Sequence, residues 1–365
     1  MSILKVDAIR HNSATSDAIT THSDGTASAK IIDVGGGPLS NRNLIINGAM
    51  QVAQRSTSAV NIPGGKTVTD VDRFGQWTKT ADGNWKSGQQ VSDAPADFQF
   101  SRKITSLAAN TIEAGTYHTV RYAVEGYDAA QLNCGLSSAK TVTLSFYVKS
   151  SLTGTFGLNF SNGANNRSYP TTYTISNPNV WERKTITVTL DTSGTWLKTN
   201  GVGLEINWQL AIGPSYSTST LNQWQGNWRF PSSATDILAT NGATWQLTGV
   251  QLEVGDTATT FEHRSYGEEE SRCFRYFFSS IADKYWYNGH GGNVNDYTEI
   301  SFQTKMRDTP TITFGTAITE TNLNLSGGAG HGQRAVSSTG WQYGPRSAAT
   351  GNSYGRINYT ADAEI

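Results

Sequence analysis

The chain has 365 residues and sets 28 Lys+Arg against 29 Asp+Glu, a formal net charge of -1. It therefore lacks the cation surplus with which a nucleic-acid binder displaces counterions. Charged residues are only 16% and aromatic residues 10%, a balance that can bury enough ring surface to order itself and excludes a disordered tail. Two cysteines, Cys134 and Cys273, are too few and too distant for a disulfide scaffold or a zinc site. No run approaches the roughly 18 apolar residues of a membrane helix, and Met1–Arg10 lacks the apolar stretch of a signal peptide. A protein of this kind working outside a cell leaves by lysis or within a particle.

In chain order, residues 1–40 read as strand fragments. Ile3–Arg10 is short and mixed, and Asp17–Ile32 resembles a hairpin turning at Ser23-Asp24-Gly25. Such a segment buries too little to fold alone and must dock on something larger. Gly35-Gly36-Gly37-Pro38 then marks a linker. Residues 41–265 change texture to short alternating runs. Thr141–Ser150 points Val142, Leu144, Phe146 and Val148 to one face, and Thr185–Leu190 repeats the pattern with Ile186, Val188 and Leu190. Val202–Leu210 does so with Leu204, Ile206 and Trp208, or with the opposite parity. Thr244–Val254 carries apolar residues on both faces, Trp245 and Leu247 against Val250, Leu252 and Val254. Period-two runs with Gly/Asn/Pro/Ser punctuation predict antiparallel sheets with one dry face, packed as a sandwich or jelly roll. The alternation breaks at Glu262–Glu270 and resumes at Cys273–Ser279, Tyr297–Gln303, Thr311–Phe314 and Arg356–Ala363, enough for a smaller sandwich over residues 266–365. There is no internal repeat, so propellers and solenoids lose support.

Constellations for catalysis are at background. Adjacent Glu268-Glu269-Glu270 on a turn cannot flank a sugar ring as glycosidase carboxylates do, and reads as a solvated linker face. Asp70 and Asp72 share one side of a strand and could hold calcium, although ion pairs with Arg73 or Lys79 are the plainer reading. The six histidines show no HExxH or HxH spacing, and Gly-x-Ser-x-Gly, P-loop and dinucleotide fingerprints are missing. The chain is therefore expected not to be an enzyme and to need no cofactor, a structural calcium ion aside.

The ten Trp residues are about twice the usual share. Trp181 and Trp245 sit at or in strands and read as core. Trp208, Tyr216, Trp224 and Trp228 fall in a Gly/Asn/Gln/Ser-rich stretch. Tyr285-Trp286-Tyr287 leads into Asn288-Gly289-His290, and Trp341-Gln342-Tyr343 lies between glycines. Pyranose rings stack their C–H faces on indole and phenol rings, while amide and imidazole groups receive their hydroxyls. Tyr285, Trp286, Tyr287, His290, Trp341 and Tyr343, and as a rival Trp224 and Trp228, are thus candidate contacts for a neutral glycan. Against this stands the plain alternative that each ring plugs a sandwich end.

Several phrases carry a resemblance. Asn43-Leu44-Ile45-Ile46-Asn47-Gly48-Ala49-Met50-Gln51-Val52-Ala53-Gln54-Arg55 and Val71-Asp72-Arg73-Phe74 resemble the opening of tail-fibre domains in tailed bacteriophages, marine and cyanobacterial ones especially. Val250–Gly255 with Phe261–Glu269, then Cys273-Phe274-Arg275-Tyr276 and Met306-Arg307-Asp308-Thr309-Pro310-Thr311, are similar to later elements of the same proteins. Leu4–Ile9 and Ser23–Thr26 look like their N-terminal attachment module. The resemblance implies a homotrimeric virion protein of the tail with a carbohydrate-binding-module-like jelly roll, bound to tail proteins through residues 1–40 and to a host-surface glycan, with no nucleic acid or membrane insertion. A polysaccharide depolymerase and a purely structural tail connector are the rival expectations.

Overall fold

In a computed structural model of the chain, residues 8–9, 19–21, 23, 27–29, 41–79, 85–289, 297–323, 331–345 and 351–365 are described. The hairpin expected near the start has its arms in β2 (Ile19–Thr21) and β3 (Ala27–Ala29), which pair antiparallel, with β1 (Ala8–Ile9) beyond β2. The Gly35–Pro38 linker lies outside the described residues.

Two antiparallel sheets then face each other. One has the order β13 (Glu182–Thr189), β10 (Thr141–Ser150), β18 (Thr244–Val254), β8 (Ser101–Ser106), β7 (Lys86–Val91), β4 (Val60–Asn61). The other has seven strands in the order β16 (Gln225–Gly226), β12 (Arg167–Ile175), β11 (Gly154–Ser161), β14 (Val202–Ile212), β9 (Tyr117–Glu125), β6 (Phe74–Lys79), β5 (Gly65–Thr67). Inward residues from both sheets, among them Val142, Leu144, Phe146, Val148, Leu204, Ile206 and Trp208, form one core, as alternation demands of a sandwich. Trp208 is fully buried there, which removes it from the ligand candidates. Trp181 is only half-buried, just ahead of β13, contrary to its reading as core. A jelly-roll sandwich is therefore the fold of this region.

Strand β18 explains its own contradictory pattern. Its register with β10 runs Leu144–Leu252, Ser145–Gln251, then Tyr147–Thr248, one extra residue on β18. At this bulge Gly249 has φ +60, a conformation that costs a side-chain-bearing residue about 1–2 kcal/mol. The extra residue flips parity, so Trp245 and Leu247 before it and Val250 and Leu252 after it all reach the core.

A strap leaves β14 at Gly213 and crosses the outside of the seven-stranded sheet. It contains β15 (Ser217–Thr218) and β17 (Phe230–Pro231), paired in parallel. The helix α1 (Gly126–Ala129) follows β9.

The Glu262–Glu270 break is a helix, α2 (Tyr266–Phe274), where Cys273–Ser279 was expected to begin a strand. Ser265 caps it, its Oγ accepting from the Glu268 N–H, because a run beginning Ser-x-x-Glu satisfies its first N–H groups locally. Glu269 is not solvated: it is buried, accepting from the Asn47 N–H and paired with Arg264. Beyond it stand two three-stranded sheets, β19 (Phe277–Gly289), β24 (Gly351–Asp362), β21 (Thr311–Thr321) and β20 (Thr298–Ser301), β23 (Gly340–Pro345), β22 (His331–Arg334). They enclose a second core around Phe278, Phe302, Met306, Trp341 and Tyr359. Polar contacts tie it to the jelly roll: Arg275 and Tyr276 donate to Glu125, and Gln54 Nε2 to the Phe277 carbonyl. The Arg73 guanidinium lies 3.4 Å from the Tyr276 ring centre and bonds Glu364.

Candidate functional site

The strap is held down by side chains of the sheet beneath it. Asn159 Nδ2 donates to the Arg229 carbonyl at 2.9 Å and Ser168 Oγ to the Asn227 carbonyl at 2.7 Å. Its apolar residues form a small cluster of their own, Trp228 and Phe230 with Tyr117, Trp77 and Tyr216. On β6, Phe74, Gln76 and Thr78 turn inward, so Gly75 and Trp77 face outward, and the strap meets Trp77 there. The Trp77 and Trp228 ring centres are 4.4 Å apart, and Tyr117 meets Trp228 edge-on at 4.8 Å.

Beside this cluster opens a cleft of about 360 Å³. Trp77, Tyr117, Tyr216 and Trp228 supply its rings, and Asn165, Ser215, Asn227 and Arg229 its polar groups. Trp77 and Tyr216 are half-buried, which leaves ring area in reach of a ligand. Asn165 and Asn227 have φ of 55 and 66, left-handed positions that Asn tolerates better than most residues. Two buried atoms of this wall, the Asn165 Oδ1 and the Trp228 Nε1, have no hydrogen-bond partner among the described residues. One is an acceptor and the other a donor, and leaving such groups unpaired costs about 1–3 kcal/mol each. Burial pushes the Tyr117 phenol up to about 12, so it stays a neutral hydroxyl. Stacking faces beside an unfilled donor and an unfilled acceptor are what a hydroxyl-bearing ring needs.

The sequence candidates scatter. Trp228 enters this cleft, but Trp224 does not: it meets Tyr169 at a tilt and Trp196 edge-on, and donates its Nε1 to the Thr189 carbonyl at 2.8 Å. Trp341 and Tyr343 are 2% and 0% exposed, in the centre of the second core. They lie in strand β23, not a loop, and their rings are packed in that core rather than on a loop surface. Tyr285 also lies in a strand, β19, 48% exposed and against Tyr354. Trp286 and Tyr287 continue that strand, but their side chains, and His290 altogether, lie outside the described residues. Trp77, Tyr117 and Asn165 were missed. Trp77 had a legible signal, a large ring at the outward parity of β6 beside Gly75.

The carboxylates proposed for calcium go elsewhere. Asp70 is buried between the sheets and paired with Arg102 at 2.8 Å. Asp72 accepts from the Gln54 N–H and faces Arg55 at 3.5 Å, its carboxyl pushed up to about 6 by burial. They occupy the turn before β6 rather than one face of a strand, and their partners are Arg102 and Arg55, not Arg73 or Lys79. Among the described residues no three His, Cys, Asp or Glu side chains group as metal ligands.

No family model matches the sequence, and no curated protein matches it. Among solved structures, the enzymatically active domain of Bacteriophage CBA120 tailspike protein 4 is 13% identical with a TM-score of 0.31, over 58% of this chain and 21% of that one. The chain thus spans about a fifth of that protein. A family 11 carbohydrate-binding module from Clostridium thermocellum, in complex with a mixed-linked tetrasaccharide, is 10% identical with a TM-score of 0.28, over 55% of this chain and 100% of its own. The C-terminal family 22 carbohydrate-binding module of a Clostridium thermocellum protein is 9% identical with a TM-score of 0.31, over 61% of this chain and 100% of its own. Likenesses this weak carry no argument about this chain.

Proposed function

We propose that this chain is a receptor-binding protein of a tailed phage, a tail fibre that adsorbs to a host-surface glycan without cleaving it. The observation that carries the glycan reading is the cleft at Trp77, Tyr117, Tyr216 and Trp228, with its unfilled Asn165 Oδ1 and Trp228 Nε1. The phrases shared with tail-fibre proteins carry the phage reading, and with it the homotrimer and the attachment role of residues 1–40. Adsorption tolerates a weak single site, because several sites on one particle multiply effective affinity.

A glycan array, followed by adsorption assays on host cells with and without their surface polysaccharide, tests this. Trp77→Ala and Tyr216→Ala should abolish binding while the protein stays folded by circular dichroism. Normal adsorption by both folded variants would favour a structural connector, and reducing ends released from host glycan would favour a depolymerase.

A further inference from the structure

A second cleft of about 330 Å³ opens on the same outer face of the seven-stranded sheet. Gly75 lines this cleft and Trp77 the first, two residues apart on the outward parity of β6; Arg121 and Tyr117 stand in the same relation, four residues apart on β9. At about 3.4 Å per residue the two clefts follow one another over roughly 7–14 Å along the strands. Lys66 stands between them, its Nζ 4.0 Å from the Trp77 ring centre and 3.4 Å from Glu205 Oε1. The far wall is not part of the jelly roll. Asp362 at the end of β24 and Glu364 beyond it close the cleft, and Arg121 donates to the Ile365 carbonyl.

Charge in this cleft is matched internally. Lys66 and Arg121 share Glu205, Arg73 holds Glu364, and Asp362 is the third carboxylate set against these three cations. Two polar atoms on nine-tenths buried side chains nevertheless lack a hydrogen-bond partner among the described residues, the Arg73 Nε and the Glu205 Oε2. With the Glu364 Oε1, which also lacks a hydrogen-bond partner among the described residues, one donor and two acceptors remain, with no surplus cation to draw a carboxylate or sulfate.

We infer that the glycan is an uncharged oligosaccharide that spans both clefts, and that the segment at the end of β24 completes the site at its far end. This rests on the glycan reading of the first cleft. A single terminal sugar fills only one cleft; an internal stretch of chain fills both.

The test is a ladder of mono- to hexasaccharides cut from the polysaccharide that the array selects, with a uronate ladder for comparison, titrated calorimetrically against the full chain. The native protein should bind the tetrasaccharide at least tenfold more tightly than the disaccharide, and the uronate ladder at least tenfold more weakly. Val68→Trp, which fills the second cleft, should erase the length gain and leave disaccharide affinity unchanged, whereas Trp77→Ala should weaken every length. Lys66→Ala, which adds no bulk, guards against a misfolded Val68→Trp and should also shrink the gain. Equal affinity for di- and tetrasaccharide, or a preference for uronates, overturns the inference while the first cleft stands. Failure of every ladder and of Trp77→Ala to change anything overturns the glycan reading as well.

Discussion

Trp341 and Trp77 show how one residue type serves two ends. Trp341 sits 2% exposed among Phe314, Tyr343 and Tyr359, so Trp341→Ala should lose about 3–5 kcal/mol. Chemical denaturation should show the second sandwich melting early, with the first cleft still competent for glycan. Lys86 is a different kind of buried residue. Its Nζ donates to Thr78 Oγ1 at 2.6 Å and meets His118 Nδ1 at 3.1 Å, with no carboxylate paired to it among the described residues. Burial, then the charge of Arg102, lowers the Lys86 amine from 10.5 to about 7. The unfolded chain therefore binds this proton below pH 10.5 and the folded chain only below about 7, so this group removes stability as the pH falls between those values. Burial also lowers His118 from 6.5 to about 2, which removes further stability below pH 6.5. Asp72, raised by burial from 3.8 to about 6, acts oppositely below pH 6. Melting between pH 7 and 8.5 thus reads mainly Lys86, the buried Cys134 and Cys273 thiols, raised by burial above 9.0, working weakly against it near the upper end. The native protein should gain stability with pH, and Lys86→Met should melt higher at pH 7 with a flatter profile; an identical slope in both would contradict the assignment.

At the scale of elements, the bulge in β18 is the decisive irregularity. A Cβ on Gly249 would lie 2.7 Å from Phe98 Cζ and 2.9 Å from Tyr147 Cδ2, and its φ is positive besides. Gly249→Ala should therefore cost more than the roughly 1–2 kcal/mol of left-handed strain alone. The denaturation midpoint should drop accordingly, and Phe98→Ala in the same chain should relieve only the contact with Phe98, leaving the Tyr147 clash and the strain. The strap is the second such element. It carries Trp228 to Trp77 only because Asn159 and Ser168, on the outward parity of β11 and β12, hold its carbonyls.

The whole molecule is set by how its two sandwiches are joined. Burial works against the Arg73 charge, but the groups around it, Glu364 foremost with Tyr276, Tyr122 and Cys273, together outweigh it and keep the guanidinium, which lies over the Tyr276 ring, protonated. Removing one partner of such a buried pair leaves the other charge buried and uncompensated, which is far costlier than the pair is worth. Two expectations from the fibre resemblance belong at this scale. Light scattering of the purified chain should give about three times its 39.5 kDa mass, and a stable monomer at micromolar concentration would refute the trimer. Deleting residues 1–40 should leave the jelly roll folded and stop incorporation into particles; particles carrying the truncated chain in full number would refute the attachment role.

The alternation of Val142, Leu144, Phe146 and Val148, and of Leu204, Ile206 and Trp208, determined by itself an all-β sandwich and the side of each strand that meets the core. Period two is a local property, and burial on one face suffices to select it. Three things were beyond it. The parity flip at Gly249 depends on a pairing with β10 more than a hundred residues away in sequence. The helix α2 was hidden because nine residues with three successive Glu carry too little apolar periodicity to announce themselves, though Ser265 and Glu268 mark its start. The placing of rings was hidden for the same reason throughout. Trp228, Trp341 and Tyr343 look alike among glycines and polar residues, yet one walls a cleft and two fill a core. That choice is made by which sheet closes over each ring, a matter of tertiary packing that neighbouring residues do not encode.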